Sequence, residues 1–161
     1  MNSLKVPYVV LLGNHDCLGT GREAYTKIFG PANFSFIAGN TKFVCLNTNA
    51  LEFDYSEPIP DFNFIENQLT ERQDEFEKTV VAMHARPGSD VFNNNVSKVF
   101  QRYITQYPQL QFCLNAHDHR VSTDDLFDDG VIYYGSDCMK HRSYMLFTIT
   151  PDNYTYELVN F

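Results

Sequence analysis

The sequence of 161 residues has no tryptophan, no Cys-x-x-Cys pair and no basic excess. Twelve Lys and Arg stand against twenty Asp and Glu, a formal net charge of -8. No positive surplus is available to neutralise a phosphate backbone, which argues against a nucleic-acid partner. An acidic chain still handles an anionic substrate if bound cations invert the local charge. No apolar run approaches the ~20 residues of a membrane-spanning helix, so no membrane partner is expected. Residues Met1 to Lys5 show no basic region leading into an apolar core, so no signal peptide is expected. Cys17, Cys45, Cys113 and Cys138 are scattered, and Cys45 and Cys113 lie in apolar runs as buried thiols do. That usage predicts a reducing, cytoplasmic setting. Internal repeats and low-complexity linkers are also lacking.

What is present suits one globular domain over residues 1–161, with 43% hydrophobic and 15% aromatic residues. Val6 to Leu12 is a short apolar run that reads as a first strand, buried on both faces. It stops at Gly13, which permits a sharp turn, and delivers Asn14, His15 and Asp16. Arg22 to Phe29 reads as a helix opened at Thr20 or Gly21 and stopped by Gly30-Pro31. Phe34–Ile37 and Lys42–Asn47 pair as a hairpin around Gly39-Asn40. Ala50 to Asp61 is a loop. Asp61 caps a helix with Phe62, Ile65, Leu69 and Phe76 on one face, ending near Glu77. Thr79 to Met83 is a buried strand that ends at His84. After the Arg86–Asp90 loop, a second helix runs from Val96 to Tyr107, capped by Asn95 and ended by Pro108. Leu110 to Leu114 is a third buried strand, running into Asn115-Ala116-His117-Asp118-His119. The remainder reads as β meander: Leu126-Phe127 with Val131–Tyr134, then Ser143–Thr150 with Asn153–Phe161. Helices between core strands and antiparallel strands at the end predict an α/β domain.

Four of the five histidines fall at three strand ends, and only His141 lies elsewhere. Each such cluster, taken singly, also reads as an ordinary polar turn or a hydrogen-bonded histidine. Together they read as a metal site. In extended backbone His117 and His119 point to the same side, so two imidazoles face one point. Asn14 adds a neutral carbonyl oxygen. Mixed His, Asn and carboxylate ligation suits Mn, Fe or Zn better than Ca.

Gly13-Asn14-His15-Asp16, a strand ending in His84, and Ala116-His117-Asp118-His119 follow one another in an order that resembles the calcineurin-like metallophosphoesterases. That family carries Gly-Asn-His-Asp/Glu, a later lone His, and Gly-His-x-His. Ala116 departs from the pattern, standing where the family usually has glycine. The resemblance implies a two-sheet sandwich flanked by helices, with mixed sheets and antiparallel C-terminal strands. It also implies hydrolysis of phosphate mono- or diesters by a two-metal mechanism. By the resemblance, Asn14, His84 and His117 would ligate the second metal and His119 the first. His15 would stand at the scissile phosphate, as a catalytic residue with Asp16, which would orient it. Arg86 would touch substrate phosphate. The loops Asp54–Asp61 and Arg86–Asn95 are expected to border the pocket.

The family also carries an Asp-x-His and a Gly-Asp-x-x-Asp ahead of the Asn-His-Asp motif, and neither occurs in this sequence. Asp90, Asp124 and Asp125 are carboxylates in the wrong place and without histidine partners. The chain thus corresponds to the C-terminal part of the domain, with the first-metal and bridging ligands missing. The expectation is one divalent ion or none, and impaired or absent hydrolysis. An apolar sheet edge left open beside the first strand predicts a homodimer. The alternative is a catalytically dead, dimerising or partner-binding remnant of the fold.

Overall fold

The computed structural model describes residues 5–51 and 56–161. Residues 52–55, within the expected loop after Ala50, lie outside that range, as do Met1 to Leu4. A six-stranded sheet organises the molecule. Its strands are β1 (Phe34–Ala38), β2 (Thr41–Leu46), β3 (Lys78–Met83), β4 (Leu110–Asn115), β5 (Ser122–Asp125) and β6 (Ile132–Gly135). They lie in the order β1-β2-β3-β4-β6-β5. The inner four run parallel, while β1 and β5 pair antiparallel at the two edges. The inner strands are rich in apolar residues because both sheet faces are covered. All six residues of β3 are buried.

Successive strand residues point to opposite faces, and the sequence uses both. Val44, Leu46, Val81, Met83, Cys113 and Tyr133 face the helices α2 (Phe62–Thr70) and α3 (Ser97–Ile104), packing on Ile65, Phe100 and Ile104. Val80, Phe112 and Tyr134 face the other way, onto a hairpin of β7 (Ser143–Ile149) and β8 (Tyr154–Asn160). There the Phe112 ring lies 4.7 Å from Phe147 and 4.5 Å from Tyr154, centroid to centroid. Tyr134 adds a contact to Tyr156 at 4.7 Å. The architecture is the predicted α/β arrangement of two sheets flanked by helices, with the antiparallel strands last. Among the described residues no helix is long and apolar enough to cross a membrane.

Several elements differ from the expectation. Val6 to Leu12 forms no strand: Val6 is 65% exposed and Val9 52%, and only Leu12 is buried. An apolar run becomes a strand only beside a partner ladder, and none faces it among the described residues. Side chains hold it instead. Asn49 Nδ2 donates to the Leu12 carbonyl at 2.8 Å, and the Tyr25 hydroxyl to the Val10 carbonyl at 2.6 Å. Tyr25 belongs to α1 (Gly21–Phe29), which forms as predicted. The edge expected beside a first strand therefore does not exist as a strand edge.

Asp61 caps α2 as expected, accepting from the Phe64 N–H at 3.1 Å. The helix stops at Thr70 rather than near Glu77, because Arg72 adopts a left-handed φ of 57°. Phe76 still reaches the core, from extended backbone. Asn95 does not cap α3. A 3-10 turn, Asn94–Val96, precedes that helix, and the Asn94 side chain bonds Gly88 N–H and the Ser89 carbonyl. The partner of β6 is Ser122–Asp125 rather than Leu126-Phe127.

Candidate metal centre

Parallel strands deliver their carboxyl ends to one edge of the sheet, where ligands collect in α/β folds. Here β3 ends at Met83 and releases His84, and β4 ends at Asn115 just before His117. The two ends are tied together, since the Ala116 N–H donates to the His84 carbonyl at 3.0 Å. Asn14 arrives from the irregular segment that Asn49 anchors at Leu12. Gly13 is needed for close approach: a Cβ there would stand 3.1 Å from Asp16 Oδ2 and 3.4 Å from His84 Cε1.

Three donor atoms converge. His84 Nε2 lies 3.0 Å from Asn14 Oδ1 and 3.3 Å from His117 Nδ1. The His84 and His117 rings meet edge to face, 5.2 Å between centroids. Burial, and next the neighbouring His117, push the His84 pKa down to about 4, while Asp16 acts in the opposite direction. A neutral imidazole keeps a lone pair at neutral pH, which a metal ligand requires. Two imidazole nitrogens and one amide oxygen suit a borderline divalent cation, so the residues present fit the metal that the motifs imply.

His117 has a further partner. Its Nε2 lies 2.7 Å from Asp90 Oδ1, and that bond is the main influence lowering the Asp90 pKa. The expectation that Asp90 lacks a histidine partner is thus overturned. Nothing in its loop marks it in the sequence, because pairing across 27 positions leaves no periodic signal. Asp90 also helps line a cavity of about 670 Å³, together with Leu51, Glu57 and Asn95. The two loops expected to border the pocket therefore meet in one cavity.

Other residues of the motifs are placed differently. His117 and His119 are not in extended backbone: their φ angles are 63° and 51°, left-handed conformations that cost ~1–3 kcal/mol each. Only His117 joins the trio. His119 is exposed and makes no side-chain hydrogen bond among the described residues, though its charge is felt at His84. His15 is likewise exposed. The Asp16 carboxylate accepts from the Gly13 N–H at 3.0 Å, so it closes the turn rather than orienting His15. Arg86 pairs with Asp118 at 3.2 Å and reaches Asp124 at 3.9 Å. In this conformation protein carboxylates occupy its guanidinium.

No curated protein matches the chain. A family model described as calcineurin-like phosphoesterase matches residues 1–121. The match takes in the Asn14, His84 and His117 segments and most of the parallel sheet. With three-quarters of the sequence matched and three motif segments brought to one point, the chain belongs to the calcineurin-like phosphoesterase family, whose members are phosphoesterase-type hydrolases that typically use divalent metals.

Proposed function

We propose that Asn14 Oδ1, His84 Nε2 and His117 Nδ1 together hold one divalent cation of the Mn, Fe or Zn class, and that this chain hydrolyses phosphate mono- or diesters poorly or not at all. The convergence of those three donor atoms carries the reading. The metal supplies Lewis acidity toward a phosphoryl oxygen when bound. The chain's own residues prepare the place. Asp90 holds His117 from its far nitrogen, which fixes the ring's orientation. His15, exposed beside the trio, would donate a hydrogen bond to a phosphate oxygen or a proton to the leaving oxygen.

The two-metal route of the family requires carboxylates that these 161 residues do not carry in the matching motifs. His119 alone would serve the first metal, and it stands apart from the trio. Impaired turnover follows from that donor shortage. The test pairs equilibrium dialysis with Mn²⁺ and hydrolysis of aryl phosphate mono- and diesters, with His117→Ala beside the parent. The expected result is one ion per chain, lost in the variant, and no turnover above the variant's background. Turnover well above that background would overturn the impairment, and absence of bound metal would overturn the centre.

A second reading, a dimerising or partner-binding remnant, is favoured by the apolar side chains left in solvent at Val6, Val9, Leu146 and Leu158. Light scattering tests it: a monomer at all concentrations removes the homodimer.

A further inference from the structure

We propose that Asp137, Cys138 and His141 form a metal site of their own, separate from the trio, taking a zinc-class divalent ion. The three residues follow β6. The His141 N–H donates to the Cys138 carbonyl at 3.0 Å, closing a 3-10 turn that spans Met139–His141. That turn folds the Cys-x-x-His spacing back so that thiol and imidazole meet. Asp137 Oδ1 accepts from the Cys138 N–H at 2.7 Å, which aims the other carboxylate oxygen inward.

His141 Nδ1 lies 2.8 Å from Asp137 Oδ2 and 3.9 Å from Cys138 Sγ. All three donor atoms lie within 4.8 Å of one another. The same ring nitrogen faces both the carboxylate and the thiol. A catalytic relay needs the two different nitrogens of the imidazole, one toward each partner. Convergence on one nitrogen is instead the geometry of a shared point. A plain Asp–His ion pair accounts for two of the groups and leaves the thiol unexplained.

The distances fit an ion. Tetrahedral zinc, with bonds of about 2.0–2.1 Å to nitrogen, about 2.0–2.2 Å to oxygen and about 2.3 Å to sulfur, sets N···O near ~3.3 Å and N···S near ~3.6 Å. The observed 2.8 and 3.9 Å bracket those values and differ from them by a few tenths of an ångström. His141 is 55% exposed, so its ring has room to make the adjustment. One thiolate and one carboxylate neutralise a divalent charge, and sulfur with imidazole selects zinc over magnesium or calcium. The solvent side leaves a fourth position for water. On binding, the Cys138 S–H proton is released to solvent and the His141 proton moves to Nε2, so one proton leaves per ion.

Cobalt(II) reports the difference between the two centres, because the trio contains no sulfur. Co²⁺ is titrated into the full chain and followed by absorbance. A near-ultraviolet sulfur-to-cobalt band is expected, one that saturates and is displaced by Zn²⁺. It is retained in Cys17→Ser, whose thiol lies near Gly13, and lost in Cys138→Ser. No band in the parent, or a band that survives Cys138→Ser, overturns the site. A second readout needs no cysteine variant: alkylation of Cys138 in the parent, mapped by mass spectrometry. It slows about tenfold when zinc stands at ten times its dissociation constant. An unchanged rate overturns the proposal.

Discussion

Lys42→Met is the substitution that most directly tests how the helix layer is fastened to the sheet. Lys42 sits on β2 on the same face as Val44 and Leu46, and is 1% exposed. Its ammonium donates to the carbonyls of Gln68 at 2.9 Å and Glu71 at 2.7 Å. It also lies 5.1 Å from the centre of the Phe76 ring. Those carbonyls belong to the end of α2, where a helix has no amide left to satisfy them and carries its negative dipole end. Methionine keeps the volume and removes both donors. Two carbonyls left without a partner cost ~1–3 kcal/mol each. Against that stands burial, the largest influence on the Lys42 pKa, which pushes it down; removing the ammonium recovers its desolvation. The balance is a loss of ~2 kcal/mol. For a domain of this size that lowers the melting temperature by ~4–8 °C. With a urea slope of ~1–3 kcal/mol/M the denaturation midpoint falls by ~1 M. Urea titrations of parent and variant, read by circular dichroism, measure it. A variant within ~0.5 kcal/mol of the parent, inside the range of an unremarkable surface change, would refute the reasoning. The ammonium would then merely offset its own desolvation.

Three further outcomes are expected. Tyr133→Phe, at a fully buried ring whose hydroxyl donates to Gln101 Oε1, strands that oxygen and costs ~1–3 kcal/mol by the same urea assay; an unchanged midpoint counts against the bond. Asp90→Asn weakens Mn²⁺ binding by ~10–100-fold in equilibrium dialysis, because His117 loses its carboxylate support; unchanged affinity removes that role. Burial pushes the Cys45 thiol up to about 12 and also raises Cys113, so neither is thiolate at pH 8. Alkylation of the native protein in metal-free buffer is therefore confined to half-buried Cys17 and Cys138. Modification of Cys45 at a rate like theirs would contradict its burial.

The core strands and α2 were legible because period and caps act locally: Val80 to Met83 is apolar throughout, and Asp61 precedes its helix. Val6 to Leu12 misled because apolar content is local whereas strand pairing is not. In α3 the buried position Gln101 is polar, held by Asp129 and Tyr133, while Val99 is 48% exposed, an inversion that composition conceals. Histidines gathered at expected strand ends pointed to the candidate centre. Their backbone did not, since a left-handed turn at His117 and His119 has no glycine to mark it. Asp90 was invisible for another reason: its pairing depends on how a loop returns to the sheet.

The ring cluster between the sheet and the β7–β8 hairpin has an optical consequence. With no tryptophan in the chain, near-ultraviolet absorption and emission belong chiefly to tyrosine. In that one seam the Tyr134 ring meets Tyr154 edge to face and Tyr156 at a tilt, and Tyr134 and Tyr154 are also joined hydroxyl to hydroxyl at 3.1 Å. The helix-side core lies across the sheet from them. Detachment of the hairpin would therefore change the tyrosine spectrum while the helical signal stayed constant, giving the protein an unlabelled gauge of one layer's docking.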